Sequence, residues 1–388
     1  MRSLSPNDEA VMVDPDGDLI LQVGQKQDKN DEPSASGKVK CLRVSSKILT
    51  ITSPVFKAML CGPFLEGQLA LSNVNPPVLP LPEDDPEAME LLTNVLHYQN
   101  ITPREDLSLQ LCELAVTGDK YHCNIAIRPF FRHQLLQMSA ASPHLTPEQL
   151  AHLISASYIL NDCEDFYYLT MAAITKYTWN HESNCKNDKD SLLQTTLRAW
   201  VPEMVHGVMH TAFNNRLESF IGTCAGTVFH ALGGYNSLAS EGPRCTIEAD
   251  GGAEEINENC QGQAMRVVQY ITSLCAFGLW PGVPGDPHGA PYRALAASID
   301  IVRRIAITHM NDKTTKCDSG CDSCSIEWGK VIYDRVDDFQ LDNSYGICLP
   351  CLKAAATDER HANLAHRCLK HTQYSNLSLR HTAMFSPE

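Results

Sequence analysis

Strand-forming sequence stops early in this chain. Asp18–Val23, Val39–Val44 and Val78–Leu81 read as strands, and all three lie before residue 82 of 388. The rest of the chain reads as helix, loop or cysteine-rich tail. A sheet this small has to bury its apolar face under helices. The expected fold class is therefore α+β: a small sheet capped by helices, then a mostly α-helical region, then an irregular Cys-rich tail.

The strands have local support. Asp18-Leu19-Ile20-Leu21-Gln22-Val23 is a mostly apolar run, and Val39-Lys40-Cys41-Leu42-Arg43-Val44 alternates as a return strand. The polar stretch 24–38 between them suits a long hairpin loop. Pro80 makes 78–81 an edge strand.

Helix starts are marked by capping chemistry. Ser45 or Ser46 opens a short helix, and Ser53-Pro54 opens another over Val55–Leu60. Asp85-Pro86-Glu87 combines a cap, a proline at the position whose N–H is unpaired anyway, and an acid facing the helix dipole. Met89, Leu92, Val95 and Leu96 form the stripe behind it. Helices are also predicted over 107–121, over 124–138 across Pro129, and from the Thr146-Pro147-Glu148-Gln149 capping box to about 159. Asn161 with Glu164 signals a helix to about 177. Residues 180–190 read as loop. A long helical region runs from Pro202 to about 232, interrupted by Gly207, Gly222 and Gly226. Residues 240–262 read as an acidic flexible insertion, and 263–277 and 291–309 as two further helices.

Composition narrows the function. With 43% hydrophobic residues the chain can bury a core, and 388 residues suggest two or three domains at roughly 100–200 each. Lys+Arg 31 against Asp+Glu 46 gives −15, which argues against nucleic acid or an anionic membrane as the main partner. No apolar run is long enough to span a bilayer. Residues 1–13 read as a disordered head, and the acids of 1–18 do not make a secretory signal. The expected setting is intracellular, cytoplasm or nucleus, with reduced thiols.

Cysteine is unevenly spread, with ten in residues 1–316 and six in 317–388. Cys317-x3-Cys321-x2-Cys324 is followed by Cys348-x2-Cys351 and Cys368-x2-His371. Each Cys-x2-Cys or Cys-x2-His turn offers two donors, and two turns complete a tetrahedral zinc site. The favoured set is Cys348, Cys351, Cys368 and His371, with Cys321 and Cys324 as alternative ligands beside Cys348 and Cys351. Four protein ligands leave no open position, so the zinc would be structural. His206 and His210 share i,i+4 spacing, but no acidic base accompanies them as in a zinc-protease helix. The chain shows no nucleophile elbow, phosphate loop or dinucleotide fingerprint, and no catalytic residue is assigned.

Four stretches in order resemble a BTB/POZ domain. They are Asp16–Leu21; Leu42–Leu49 with Ser53–Leu60; Leu81-Pro82-Glu83-Asp84-Asp85-Pro86-Glu87-Ala88; and Leu114-Ala115 with Asp119–Cys123. The match covers about 14–133. The Leu81–Ala88 segment resembles the fungal BTB group, whose helical C-terminal regions often end in Cys-x-x-Cys and Cys-x-x-His. Many animal relatives carry a His at the start of the first helix of the pair, where this chain has Ser45. The Asp that accompanies it near their dimer interface matches Asp18, a dimer-interface candidate here.

Composition and helix signals set a head 1–13, a helical region 134–311 and a Cys/His-rich tail 312–388, and the resemblance implies a BTB domain over 14–133. It also implies a protein-interaction adaptor rather than an enzyme. Phe64-Leu65-Glu66 follows the Val55–Leu60 helix where cullin-binding BTB domains carry a hydrophobic-x-Glu pattern. An apolar anchor fills a pocket while a carboxylate makes a polar contact at the rim. Phe64 and Glu66, with Met59 on the preceding helix, are the expected contacts to a cullin-3-type scaffold, in a substrate-recognition subunit of a ubiquitin ligase. The alternative is a homo- or hetero-association module in a transcriptional or scaffold complex.

Overall fold

The structure is a computed structural model of the chain. It describes residues 10–24, 39–101, 106–141, 144–177, 179, 189–231, 246–248, 254–256, 262–280, 295–311, 324–343 and 346–355.

The first sheet runs β1 (Ala10–Met12), β3 (Lys40–Val44), β2 (Leu19–Val23), β4 (Val78–Leu81) in spatial order. β2 and β3 are antiparallel, with Leu21 opposite Leu42. β4 lies parallel to β2 at one edge. Edge placement explains how Pro80 is tolerated, because its missing N–H breaks no central ladder. β1 lies parallel to β3 at the other edge. This corrects the expected disordered head for its last residues: three residues carry no legible period, but they pair with β3 along one side, and Val13 directly after them is buried.

α1 (Ser46–Thr52) and α2 (Pro54–Cys61) come after the hairpin. Ser53 caps α2 by accepting the Phe56 N–H at 3.0 Å, while its own hydroxyl donates to the Tyr121 carbonyl at 2.6 Å. Phe56 is wholly buried and stacks on Tyr121 with ring centroids 4.4 Å apart. α3 (Pro86–Leu96) starts as predicted, with Asp85 accepting the N–H groups of Glu87 and Ala88. Its buried face contains Met89, Leu92, Val95 and Leu96.

α4 (Leu107–Lys120) and α5 (Asn124–Ala141) come next. Pro129 stays inside α5. The carbonyl it deprives of a partner belongs to Ile125, which is exposed and can turn to water. The 133/134 boundary expected from the sequence falls inside this helix. α6 (Pro147–Ile159) opens on the expected capping box, with Thr146 and Gln149 bonded reciprocally. α4 packs along α6, and the buried apolar residues form one cluster from the sheet to the last helix.

The middle of the chain departs from expectation in several places. α7 (Cys163–Lys176) is capped by Asp162, not Asn161. Asn161 takes φ 56° and closes α6, with the Asp162 N–H reaching back to the Ser157 carbonyl. α8 (Lys189–Trp200) begins where loop was expected, held by buried Leu193 and Leu197 one turn apart. α9 (Glu203–Ala231) is one continuous helix. Its three glycines cost helix propensity, but a helix buried along much of its length is held by packing. Within the acidic insertion, β5 (Thr246–Glu248) and β6 (Glu254–Ile256) form an antiparallel hairpin.

α10 (Gly262–Ala276) and α11 (Leu295–Asn311) correspond to the last two predicted helices, with α11 starting later than residue 291. The tail is not irregular throughout. α12 (Cys324–Asn343) packs along α11 and buries Trp328, Ile332, Val336 and Phe339 at helical spacing. α13 (Leu349–Ala355) then docks on α7. Among the described residues no helix is long and apolar enough to cross a membrane.

Candidate functional site

The sequence places its docking candidates at the end of α2. Phe56 and Leu60 fix the buried face of that helix, and Met59 beside them is half-buried. Gly62 lets the chain leave the helix. A Cβ there would sit 2.1 Å from the Ala58 carbonyl oxygen, so no other residue fits without moving the backbone. The next turn closes through the Gly67 N–H on the Phe64 carbonyl at 3.1 Å and the Gln68 N–H on the Leu65 carbonyl at 3.1 Å. Phe64 is 57% exposed and Leu65 81% exposed, while Glu66 is half-buried at the start of the 3-10 turn Glu66–Gln68. Leu71 and Val74, further along the same connection to β4, are also exposed. Phe64 and Leu65, adjacent in the chain, set two large apolar side chains in solvent together, which favours a partner that covers them.

Asp18 is engaged within its own chain. Its carboxylate accepts the Ser46 N–H and the Ser46 hydroxyl, both at 2.7 Å. The neighbouring Ser45 N–H donates to His97 Nε2 at 3.0 Å. That assigns the ring proton to Nδ1, which donates to the Thr93 carbonyl at 2.8 Å. Burial holds the His97 pKa below the usual histidine value, against the opposing pull of the Thr93 bond and Asp14. Sequence reasoning missed His97. The start of α1 has no histidine of its own, yet an imidazole from the end of α3 reaches it.

A second cluster joins α5 to α7. Arg132 donates to both oxygens of buried Asp162, Nε at 2.6 Å and Nη2 at 2.7 Å. Asp165 lies behind them, 3.7 Å from Arg132 Nε. Burial and then the Asp162 charge push its carboxyl up to about 7, with Arg132 pulling the other way. One Asp, Ser and His also meet. Ser108, wholly buried, donates to Asp106 at 2.7 Å and touches His152 Nδ1 at 3.2 Å. With its only proton on Asp106, the serine can only accept from His152. That order is the reverse of an activated nucleophile, in which the imidazole takes the serine proton.

The tail donors divide. Cys348 is buried and caps α13, its carbonyl accepting the Leu352 N–H at 2.9 Å; Cys351 is half-buried one turn on. The spacing across a helix start suits two ligands of a zinc site. Cys368, His371 and Cys321 lie outside the described residues, as does the side chain of Cys324 at the start of α12. Among the described residues no three potential ligands gather. The segment bearing Cys348 is held in place: the Ile347 N–H donates to Thr170 Oγ1 at 2.9 Å, and Lys353 Nζ donates to the Tyr158 carbonyl at 3.1 Å. Of the histidine pair, His206 is buried against Trp179 and near Gln194, and His210 contacts Asn214. Comparison with known proteins finds no matching family model, no matching curated protein and no matching solved structure.

Proposed function

We propose that this chain is a protein-interaction adaptor of BTB type that docks a cullin-3-type scaffold and presents substrates for ubiquitin transfer, itself doing no chemistry. The observation that carries this reading is the turn after α2, where exposed Phe64 and Leu65 stand beside half-buried Glu66. Three strands, a helix pair, an edge strand and further helices succeed one another, and from β2 onward this is the order that the resemblance implies. In this reading the tail also supplies a structural zinc site made of Cys348, Cys351, Cys368 and His371.

The test is binding of the purified chain to the N-terminal domain of such a scaffold by calorimetry. Micromolar or tighter binding is expected, with a loss of at least tenfold in a Phe64→Ala/Glu66→Ala variant that keeps its circular dichroism spectrum. A folded chain that does not bind removes the adaptor reading.

A second reading has its own observation. β1 leaves a sheet edge open among the described residues, and Val11 (37%) and Met12 (51%) are exposed on it. Such an edge can pair with a second chain. Association without ubiquitin transfer would then be the function, and light scattering would read a dimer that Met12→Lys weakens.

A further inference from the structure

A cleft of about 550 Å³ lies between α10 and α11. That is within the roughly 300–1,000 Å³ range of small-molecule sites. Ile301 and Ile305, both buried, form its floor, while Val268 (60% exposed) and Phe277 (39% exposed) stand at its rim. Thr272 and Thr308 in its walls donate their hydroxyl protons to their own helices, to the Val268 carbonyl at 2.7 Å and the Arg304 carbonyl at 2.8 Å. These two hydroxyls make little demand on water, which favours an apolar body beside them; Gln269, Ser273 and His309 supply the other polar lining.

The charge in the cleft is one-sided. Arg304 lines it, and no Asp or Glu among the described residues does. The preceding residue shows the contrast. Arg303 is locked onto α12 by Asp337 at 2.5 Å and Gln340 at 2.6 Å. Arg304 makes one long contact, Nε to the Asp300 carbonyl at 3.4 Å, and no ion pair among the described residues. In a chain with 46 acids and 31 basic residues, a guanidinium with no such carboxylate partner beside an apolar floor suits an incoming anion.

We propose that the α10–α11 cleft binds a small amphipathic carboxylate, its acyl body on Ile301, Ile305, Val268 and Phe277 and its head group on Arg304. The site is separate from the turn after α2 and does not depend on the adaptor reading. The probe is dodecanoate below its micelle-forming concentration, titrated into the full chain by calorimetry, with dodecanol as the uncharged control. Saturable one-site binding is expected, with dodecanol at least tenfold weaker. Arg304→Ala should weaken dodecanoate by roughly tenfold to a hundredfold and bring the two ligands level, the range of a charge-assisted hydrogen bond. Val268→Asp, an exposed substitution that leaves the core alone, should abolish dodecanoate binding. No saturable binding by the wild type would overturn the proposal. So would binding that ignores both substitutions, since that is adsorption elsewhere.

Discussion

The first and last parts of the molecule close their buried and part-buried polar contacts over different distances along the chain. From β1 to α5, Asp18 reaches Ser46, His97 reaches Ser45 and Ser53 reaches Tyr121, spans of 28, 52 and 68 residues. At the other end α13 is fixed by Ile347 on Thr170 and Lys353 on Tyr158, spans of 177 and 195 residues. Short closures need only the hairpin and the helices directly after it. Long closures need most of the chain to be in place first, and loop-closure entropy grows with that length. Yet the apolar core is one cluster. The two ends should therefore differ in local opening while unfolding together.

The largest effect should come from the core. Phe56→Ala removes a wholly buried ring stacked on Tyr121 and should cost about 3–5 kcal/mol. A single calorimetric transition at lower Tm is expected. Two separated transitions would break the idea of a shared core.

The late closure has its own probe. A Cβ on Gly346 would sit 1.7 Å from the Tyr167 carbonyl oxygen, so Gly346→Ala must push α13 away from α7, at a cost of about 1–3 kcal/mol. Hydrogen exchange should rise at Ile347 and along α13 and stay unchanged in α3. The early closure is sharpened by Ser53→Ala, which removes a cap and a buried donor together and should cost about 1–2 kcal/mol in urea melts.

The smallest effects separate the regions by the sign of their pH dependence. His97 has a folded pKa below its unfolded value near 6.5. Its stabilisation is complete above pH 6.5 and is lost as pH falls through and below that value. Asp165 is the opposite case, a carboxyl raised from 3.8 to about 7. Its contribution is complete below 3.8 and is lost as pH rises toward 7. Asp165→Asn should then gain on the order of 1 kcal/mol at pH 8 and nothing at pH 4. His97→Gln should flatten the acid limb instead. Urea midpoints at pH 4, 6 and 8 distinguish them.

Much of the early region was legible because its signals are local. Ser53, Asp85 and Thr146 cap within three residues of the groups they serve. The features that stayed hidden did so for physical reasons. α3, α4 and α6 each end on a left-handed residue that is not glycine: Tyr98, His122 and Asn161. In each case the next N–H reaches back five residues, to Asn94, Gly118 and Ser157. A search for glycine at helix ends passes over all three. α9 buries Val205, Met209, Phe213, Phe220, Cys224 and Val228 at helical spacing, but Gly207, Gly222 and Gly226 read as interruptions and hid its continuity. α12 carries a clear stripe, but the cysteines around it point instead to an irregular metal-bound tail. Phe64 and Glu66 were legible as a pattern. The exposure of Phe64 depends on Gly62 turning the chain out of α2, which only the structure displays.

The most direct measurement is hydrogen–deuterium exchange of the full chain with and without the N-terminal domain of a cullin-3-type scaffold. The expected result is protection centred on residues 59–69, with α10, α11 and α13 unchanged. Binding that protects β1 or the α10–α11 face and leaves 59–69 exchanging freely would contradict docking through Phe64 and Glu66.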